Sequence, residues 1–411
     1  MAGGGLLQLV AYGAQDVHLT GEPKVTFFQA VYKRHTSFTM EATKHDSQFS
    51  FSNGLVSSIK IDRRGDLLGD IWLELPSQNQ VILNSPKQLC WVAENALKKV
   101  ELVIGGQVID THYKVWWRLW SECFLNYTKK INWGKMTSYP GTQPADYGFV
   151  YLPLLFFFCR NEGLFLPLIA LQNHEIYINF HVADNYSTYF TGPPNIWINY
   201  VFLDTHERAL FGSNSHEYLI EQVQYAGSYS MTSNSETKIP LAFNHPVKEL
   251  IWCYTDPANS TLWDFSTDGN SSIATLTFKN DIVPTLPHFC GSPLVTDKIP
   301  TEEAKGPLLT AKVIFNNQDR FQSQTGKYFN QYQPFKYHSG TPYVGIYTYS
   351  FALDPEAHQP SGTCNFSRIV DQTLVVQLKS TMYLPTNQQL FAVNYNVLRI
   401  KSGMAGLAFA N

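Results

Sequence analysis

The sequence VIGGQ at residues 103–107 recurs as IFNNQ at residues 314–318, 211 residues further along the chain. In the first copy, a strand-like apolar stretch runs into Gly105-Gly106, a pair that favours a tight hairpin turn. In both copies the apolar residues then change to helical spacing. The residues concerned are Trp116, Leu119, Trp120, Cys123 and Phe124 in the first copy and Phe321, Tyr328 and Phe329 in the second. A block that predicts strand, turn and helix twice indicates an internally repeated fold.

Three further matches occur in the same order in the two halves. FTME at 38–41 matches YLIE at 218–221, and IW at 71–72 matches IW at 251–252, both 180 residues later. At a spacing of 198, Leu168, Leu171, Ile176, Ile178 and Phe180 match Phe366, Ile369, Leu374, Val376 and Leu378. Each match alone is weak, because apolar spacing recurs by chance. Together they predict two similar domains, with Trp72 and Trp252 in equivalent core strands.

The composition favours a β-rich protein with no broad electrostatic partner. Among 411 residues, 14% are aromatic and 15% are charged, and the net charge is −3. Aromatic and β-branched residues suit pleated, half-buried surfaces. A net charge this small gives no reason to expect the whole surface to bind nucleic acid or an anionic membrane. We therefore expect no direct contact with nucleic acid.

Targeting and redox signals are equally sparse. The opening MAGGG lacks the basic start of a signal peptide. The most apolar region, 149–171, is interrupted by Arg160-Asn161-Glu162, so we interpret it as a pair of buried strand-like pieces around a turn. No C-x-x-C pair occurs, which favours reduced, mostly buried thiols. The six cysteines are Cys90, Cys123, Cys159, Cys253, Cys290 and Cys364.

The order of patterns along the chain predicts an all-β protein with short helices in its loops. We divide it into an N-terminal arm (1–26), a first domain (27–211) and a second domain (212–411). Val25, Phe28 and Tyr32 have the spacing of a short helix. Roughly eight strands in each half favour two consecutive eight-stranded antiparallel jelly-roll sandwiches, a double jelly roll. The longest irregular stretch, 255–307, is typical of a functional or mobile loop.

Signatures of catalysis are missing from the sequence. His-Glu occurs at 174–175, 206–207 and 216–217, but no second histidine follows at the zinc-site spacing. There is no Walker loop, Rossmann glycine pattern or nucleophile elbow. Two carboxylate pairs could be posed as a glycosidase centre, Glu101 with Asp110 and Asp184 with Asp204, although solvated loop carboxylates are the simpler interpretation. We therefore predict no enzyme, no catalytic residue, no metal ligand and no cofactor.

A likeness to a known family extends over nearly the whole chain. The blocks that carry it in the first half are LQLVAYGAQD (7–16), TFF (26–28), VYKRHT (31–36), IGGQ-x-ID (104–110), LPLIALQ-x-HE (166–175) and FLDT-x-ER (202–208). In the second half they are HEYLIEQ (216–222), QDRF (318–321), YSFAL (349–353), QPSGTCNFSR (359–368) and NYNVLRI (394–400). In these blocks the chain resembles the major capsid proteins of nucleocytoplasmic large DNA viruses, above all the chlorovirus-like branch. The stretches 76–96, 182–195 and 255–307 depart from the pattern.

The resemblance implies a virion protein with one jelly roll in each half. Such proteins form homotrimers of pseudo-hexagonal outline, which meet neighbouring capsomers in an icosahedral shell. Minor capsid proteins lie beneath the shell, and an internal membrane lies further inside. The resemblance further implies synthesis and assembly in the host cytoplasm, an arm on the inner face of the shell, and inserted loops at its outer surface.

Two other functions stay open on the residues alone. A two-domain carbohydrate-binding, lectin-like β-sandwich protein is suggested by 59 aromatic residues that could stack on sugars. Most of those aromatic residues are more simply core. A glycosidase built on a jelly roll would need an acid pair that the sequence does not identify.

Overall fold

The computed structural model describes residues 34–46, 49–77, 91–138, 148–255, 306–342, 345–380 and 386–409, together with Leu7, Val10, Ala11, Gly13, Ala14 and Glu22. By its contacts the chain forms two units, residues 1–38 and residues 39–411. The predicted arm at 1–26, the helix around Phe28, the body of the loop at 255–307, and Cys90 and Cys290 fall almost wholly outside the described residues.

The described strands form four sheets, two in each half of the chain. The first half contains β1 (Phe38–Lys44), β2 (Val56–Lys60), β3 (Leu67–Pro76), β4 (Leu97–Ile104), β5 (Gln107–Tyr113), β6 (Phe149–Pro153), β7 (Leu166–Pro167), β8 (Ile176–Val182) and β9 (Asn195–Leu203). The second half contains β10 (His216–Met231), β11 (Thr237–Pro240), β12 (Pro246–Thr255), β13 (Leu308–Phe315), β14 (Gln318–Asp319), β15 (Gln324–Thr325), β16 (Ile346–Ser350), β17 (Cys364–Asn365), β18 (Gln372–Leu378), β19 (Thr386–Lys401) and β20 (Met404–Leu407).

The two halves have the same strand order. In the first, the sheets run β1-β9-β3-β6 and β2-β8-β4-β5, and β7 pairs with β3. In the second, they run β10-β19-β12-β16 and β11-β18-β13-β14, and β17 pairs with β12. Short strands extend these paths, since β15 also pairs with β13 and β20 with β19. Each half is therefore a sandwich of two sheets, each built on a path of four strands with the connectivity of a jelly roll, and the predicted double jelly roll is confirmed. The domain limits at 27–211 and 212–411 stay predictions. We refer to the halves as the first and second sandwich.

The hairpin at the repeated VIGGQ and IFNNQ blocks is built the same way in both sandwiches. Gly105 and Gly106 have φ of 57° and 83°, and Asn316 and Asn317 have φ of 47° and 63°. A two-residue turn with positive φ at both positions matches the right-handed twist of its strands, which is why glycine and asparagine are preferred there. Gly105 is further constrained, because a β-carbon at this position would collide with the ring of His174.

The helices described within residues 39–409 are short and lie in the connections between strands. They are α1 (Lys114–Phe124), α2 (Tyr127–Thr137), α3 (Phe157–Arg160), α4 (Tyr186–Tyr189), α5 (Thr205–Ser213) and α6 (Gln333–Tyr337), and a π-helical turn, Tyr328–Tyr332, leads into α6. Helix α1 confirms the predicted change of period. At 149–171 two strands form, but α3 and three-residue 3₁₀ turns replace a simple turn between them. The five residues 154–158 are all buried in succession, which an alternating strand cannot achieve.

Strand β7 and its counterpart β17 fix how the two sandwiches correspond. Leu67 and Leu68 pair with Pro167 and Leu166. In the second sandwich the equivalent pairs are Pro246 with Asn365 and Val247 with Cys364. Equivalent residues of β3 and β12 are therefore 179 positions apart, so the spacing of 180 that the repeated Ile-Trp suggested is wrong by one residue.

This one-residue shift changes the facing of a tryptophan. Trp252 corresponds to Leu73, and both are buried in the core of their own sandwich. Trp72 corresponds instead to Ile251 and lies on the outer face of its sheet, only half-buried. The prediction that Trp72 and Trp252 lie in equivalent core strands is thus correct, but the two side chains face opposite sides of their sheets. Successive side chains of a strand point to opposite faces, so a slip of one residue reverses every side chain.

The core of the first sandwich continues into the second. Its buried cluster contains residues of both halves, whereas a second cluster is confined to residues 231–392. The residues that the outer face of β12 and β19 contributes to the larger cluster are Ile251, Cys253, Phe391 and Val393. The two sandwiches are therefore joined by apolar packing. Cys123, Cys159, Cys253 and Cys364 are free thiols, as predicted for these four.

Candidate functional site

The first carboxylate pair that the sequence left open as a glycosidase centre has separate structural roles. In the pairing of β4 with β5, Leu102 lies opposite Asp110, so Glu101 projects from the other face of the sheet. Glu101 lies 2.5 Å from Lys99 and 3.3 Å from His181. Asp110 is buried and faces the second sandwich.

The second pair is equally structural. Asp184 forms an ion pair with Lys98 at 2.7 Å. Asp204 caps helix α5, since its Oδ1 accepts a hydrogen bond from the Glu207 amide at 2.9 Å. Within the described parts of the chain, no group of three or more His, Cys, Asp or Glu residues is arranged to hold a metal ion. The predicted lack of catalytic, cofactor and metal residues stays a prediction.

The junction between the two sandwiches is built from aromatic packing and hydrogen bonds that both halves contribute. Helix α1 of the first sandwich packs on the outer face of the sheet β10-β19-β12-β16. The rings of Trp116 and Phe391 are 5.7 Å apart, and those of Tyr113 and Tyr225 are 4.6 Å apart. Asp110 accepts a hydrogen bond from the Val223 amide at 3.0 Å. One sandwich therefore covers the outer sheet face of the other.

Polar contacts hold one side of the junction. The Gly340 amide donates to the carbonyl oxygen of Cys123 at 2.9 Å. The Ser339 hydroxyl donates to the carbonyl oxygen of Phe124 at 3.0 Å. Lys130 Nζ donates to the carbonyl oxygen of Thr341 at 2.8 Å. These bonds link the connection that contains α1 and α2 to the connection between β15 and β16.

A second set of contacts holds the opposite side. The Asn173 amide donates to the carbonyl oxygen of Gly403 at 2.8 Å, and Asn173 Nδ2 donates to that of Ser402 at 3.1 Å. The Leu407 amide donates to Gln107 Oε1 at 3.2 Å. The hairpin β19–β20 of the second sandwich is thus bound to the turn region of the first.

Buried charged residues at the junction are paired with residues of opposite charge. Glu221 on β10 meets Lys248 at 2.5 Å and Arg160 of the first sandwich at 3.1 Å. Burial opposes ionisation of Glu221, but the two cations outweigh it and hold the pKa of the carboxyl below its usual value. The charge of Glu221 therefore helps to join the sandwiches.

A buried histidine lies between two carboxylates beside the same junction. His338 is 3.3 Å from Glu249 and 3.5 Å from Glu356, and its ring stands edge-on to Phe124. Burial disfavours the charged ring, yet the two carboxylates raise the pKa of His338 to about 9. The imidazole is therefore a cation at neutral pH.

At one end of each sandwich, the connections named below leave the sheets. We call this end the connector end. The strand termini at the connector ends pair as Pro76 with Phe149, Glu74 with Asn195, Leu97 with Val182, Met231 with Thr386, Thr255 with Asn387 and Leu308 with Leu378. Those strands bracket the connections 77–96, 183–194, 232–236, 256–307 and 379–385. The opposite end, the turn end, carries the hairpins at 105–106, 316–317 and 402–403.

The two sandwiches point the same way. At the junction, the connections that contain α1 and residues 339–341 meet each other, and both leave from connector ends. Residues 173–174 and the hairpin at 402–403 meet as well, and both belong to turn ends. The connections 77–96, 183–194, 232–236, 256–307 and 379–385 therefore leave one face of the molecule, and the hairpins at 105–106, 316–317 and 402–403 lie at the opposite face.

The outer face of the sheet β1-β9-β3-β6 is covered at its turn end, where Phe165 and Phe211 pack against Leu67 and Val201, whereas further from that end it is only half-buried. Trp72 and Trp197 stack there with ring centres 6.2 Å apart and planes 7° apart. Glu74 accepts hydrogen bonds from Asn195 Nδ2 at 2.7 Å, Trp197 Nε1 at 3.1 Å and the Tyr151 hydroxyl at 3.1 Å. Burial opposes the charge on Glu74, but these bonds hold its pKa below the usual value. The result is an ordered aromatic surface that a protein could cover.

Comparison with known proteins agrees with this architecture. Residues 26–204 match the family model for the major capsid protein N-terminus, and residues 207–406 match that for the large eukaryotic DNA virus major capsid protein. The chain belongs to the major capsid proteins of large eukaryotic DNA viruses. It is 39% identical to the major capsid protein of Paramecium bursaria Chlorella virus 1 over 99% of this chain and 100% of that protein. It is 38% identical to the major capsid protein of Pyramimonas orientalis virus over the full length of both.

Solved structures give the same result. The chain superposes on the crystal structure of PBCV-1 VP54, as fitted into a cryo-EM reconstruction of the virophage Sputnik, with a TM-score of 0.77 and 35% identity, covering 94% of this chain and 100% of that one. The Faustovirus major capsid protein shares the fold at 11% identity, with a TM-score of 0.69. This protein is therefore a structural component of the virion capsid and not an enzyme, and the lectin-like alternative finds no support in these relatives. Among the described helices, none is long and apolar enough to cross a membrane.

Sequence reasoning missed the aromatic outer face of the first sandwich, although a signal for it exists. In LLGDIWLELP at 67–76, Asp70, Trp72 and Glu74 alternate with Ile71, Leu73 and Leu75. That alternation puts Trp72 on the polar face of the strand. The sequence gives a weaker signal of the junction itself. Strand β12 is buried on both faces, so its apolar and polar residues do not alternate.

Proposed function

We propose that this capsid protein forms homotrimeric capsomers of pseudo-hexagonal outline that tile an icosahedral shell. The observation that carries the proposal is the parallel arrangement of two sandwiches of the same strand order within one chain. Three such chains around a threefold axis supply six similar sandwiches, and a closed ring of heterologous contacts needs no second kind of subunit. The common direction of the connector ends gives the ring two different faces.

The remaining assignments follow from the same arrangement and from the resemblance. The outward face carries the connector ends, including the connection at 255–307. The inward face carries the turn ends and the arm at 1–26, and it meets minor capsid proteins beneath the shell, with an internal membrane touched only indirectly. No direct contact with nucleic acid is expected. Synthesis and assembly take place in the host cytoplasm, and neighbouring capsomers complete the shell.

The mass of the purified protein in solution tests the capsomer. Sedimentation equilibrium at micromolar concentration should give three times the chain mass of 46.7 kDa. A species of one chain mass throughout that range would contradict the proposal. The contact should bury roughly 2,000 Å² or more for each pair of subunits, as in lasting oligomers.

A further inference from the structure

The internal repeat shows how one sandwich covers another, and within the described residues this packing is found at one of two equivalent places. The outer face of β12 in the second sandwich is a row of fully buried side chains, Glu249, Ile251 and Cys253. With the spacing of 179 fixed by β7 and β17, the equivalent row of β3 is Asp70, Trp72 and Glu74. These three side chains are only half-buried.

The neighbouring strand repeats this difference. Trp72 pairs across the sheet with Trp197, and the equivalent Ile251 pairs with Phe391. Phe391 is fully buried because Trp116 of helix α1 lies on it. Trp197 occupies the same place in the first sandwich, where it is only half-buried, and no described helix lies on it in this way.

The element equivalent to α1 in the second sandwich is the segment from Tyr328 to Tyr337. Trp117 is fully buried and donates its indole N–H to the carbonyl oxygen of Pro153 in its own sandwich. Phe329 is fully buried against Trp252 of its own sandwich, with ring centres 5.2 Å apart. The two residues hold equivalent positions, since each lies four residues after a strand end that pairs with equivalent parts of β4 and β13, Tyr113 in β5 and Thr325 in β15.

When Trp117 is aligned with Phe329, the residues around them in the two segments can be matched one to one. Trp116 and Trp120 of α1 then correspond to Tyr328 and Tyr332. Tyr328 and Tyr332 stack with ring centres 5.5 Å apart. Tyr332 is 50% exposed and Phe335 is 85% exposed. Where α1 buries its aromatic side chains on a sheet, the equivalent segment presents them to solvent beside a groove of about 490 Å³.

We propose that the aromatic segment around Tyr328, Tyr332 and Phe335 of one copy docks on the outer face formed by Trp72, Trp197 and Tyr151 of the next copy. This contact repeats, between chains, the packing of α1 on β12 and β19 within the chain. It joins the second sandwich of each copy to the first sandwich of the next, a heterologous contact that closes as a ring of three. The inference rests on the proposed trimer and specifies the surface that makes it.

The chemistry of both surfaces fits this partner. Aromatic side chains are enriched in the cores of lasting interfaces, where they bury large areas at little entropic cost. Glu74 is already satisfied by Asn195, Trp197 and Tyr151, so covering it leaves no carboxylate oxygen without a donor.

Phe335→Asp tests the proposal without disturbing the sandwich cores, because Phe335 is 85% exposed. The matched control is Val370→Asp, since Val370 is 97% exposed in the connection that precedes β18, away from both surfaces. Sedimentation equilibrium should show that the Phe335 variant raises the trimer dissociation constant by about tenfold or more, as loss of a central aromatic contact does. The Val370 variant should match the wild type.

A cross-link locates the contact. Phe335→p-benzoylphenylalanine, irradiated in the trimer, should yield products of two and three chain masses, with linked peptides that contain Trp72, Tyr151 or Trp197. Suppose that the wild type is a trimer. If Phe335→Asp then leaves the trimer dissociation constant unchanged, or if the cross-linked peptides lie elsewhere, the proposed contact is wrong but the trimer stands. A wild-type monomer would overturn both the contact and the proposed function.

Discussion

The Gly340 amide donates a hydrogen bond to the carbonyl oxygen of Cys123 at 2.9 Å, and the Gly340 α-carbon approaches the backbone so closely that no side chain fits. A β-carbon there would overlap the carbonyl oxygens of Cys123 and Glu122. Because backbone atoms cannot swing aside, the two connections at the junction would have to separate. We expect Gly340→Ala to lower the free energy of unfolding by about 1–3 kcal/mol.

Urea unfolding of the Gly340 variant and of a matched glycine variant measures this effect. Gly148→Ala is the control, because a β-carbon at Gly148 meets no atom within 4 Å. Only the Gly340 variant should unfold at a clearly lower urea concentration. Equal midpoints for the two variants would show that the junction tolerates separation at this point.

The two tryptophans that the sequence treated as equivalent should respond differently to truncation. Trp252 is fully buried in the core of the second sandwich, so Trp252→Ala should cost about 3–5 kcal/mol of stability. Trp72 lies half-buried on the outer face, so Trp72→Ala should cost clearly less in subunit stability and act mainly on trimer dissociation. Urea midpoints for the two variants, with sedimentation for the second, separate these effects. Equal losses of subunit stability would contradict the assigned spacing of 179.

The repeat predicted from the sequence matches residue for residue at the two hairpin turns, because only a few residue types suit the backbone conformation there. The Gly105-Gly106 and Asn316-Asn317 hairpins need positive φ, so their matches are correct at a spacing of 211. The helix that begins after Tyr113 was likewise predicted, from the helical spacing of its apolar residues. At Ile71-Trp72, by contrast, an apolar pair gave no information on facing, and the match slipped by one residue.

The junction between the sandwiches could not be predicted, since its buried residues look like surface residues. Lys248 and Glu249 interrupt the apolar run of β12, yet both are fully buried. Lys248 is matched by Glu221, and Glu249 by His338, which lie 27 and 89 residues away along the chain. A pattern within one strand carries no sign of such distant partners. The aromatic face around Trp197 depends in the same way on a neighbour that no local pattern identifies.

The arm at 1–26 gives a prediction about assembly. Its turn residues and glycines provide little core of their own, so we expect a protease to remove it from free trimers. Neighbouring subunits in the shell should protect it in intact particles. Limited proteolysis of both samples, followed by mass determination of the fragments, makes the comparison. The same cleavage rate in trimers and particles would argue against an arm on the inner face.

The connection at 255–307 should be dispensable for the trimer. It leaves from the connector end between the last residue of β12, Thr255, and the first residue of β13, Leu308, so its removal keeps every described strand of the second sandwich. Deletion of residues 259–281 should leave the sedimentation mass at three chains and change the melting temperature only slightly. Antibodies raised against this stretch should bind whole virions. Loss of the trimer, or antibodies that fail to bind particles, would assign the loop to an interface or to the interior.

The junction should weaken in alkali because His338 must stay protonated between Glu249 and Glu356. The pKa of His338 is raised to about 9 in the folded protein from its ordinary value of 6.5. Its stabilising contribution is therefore complete below about pH 6.5 and is lost as the pH rises through 9. The largest possible contribution of such a shift is roughly 3 kcal/mol.

His338→Gln removes the titrating group but keeps a hydrogen-bond donor. Melting temperatures of both proteins from pH 6 to pH 10 should differ most at the acid end and converge above pH 9, since other titrating groups affect both alike. A difference that stays constant across this range would mean that His338 is not the group that titrates.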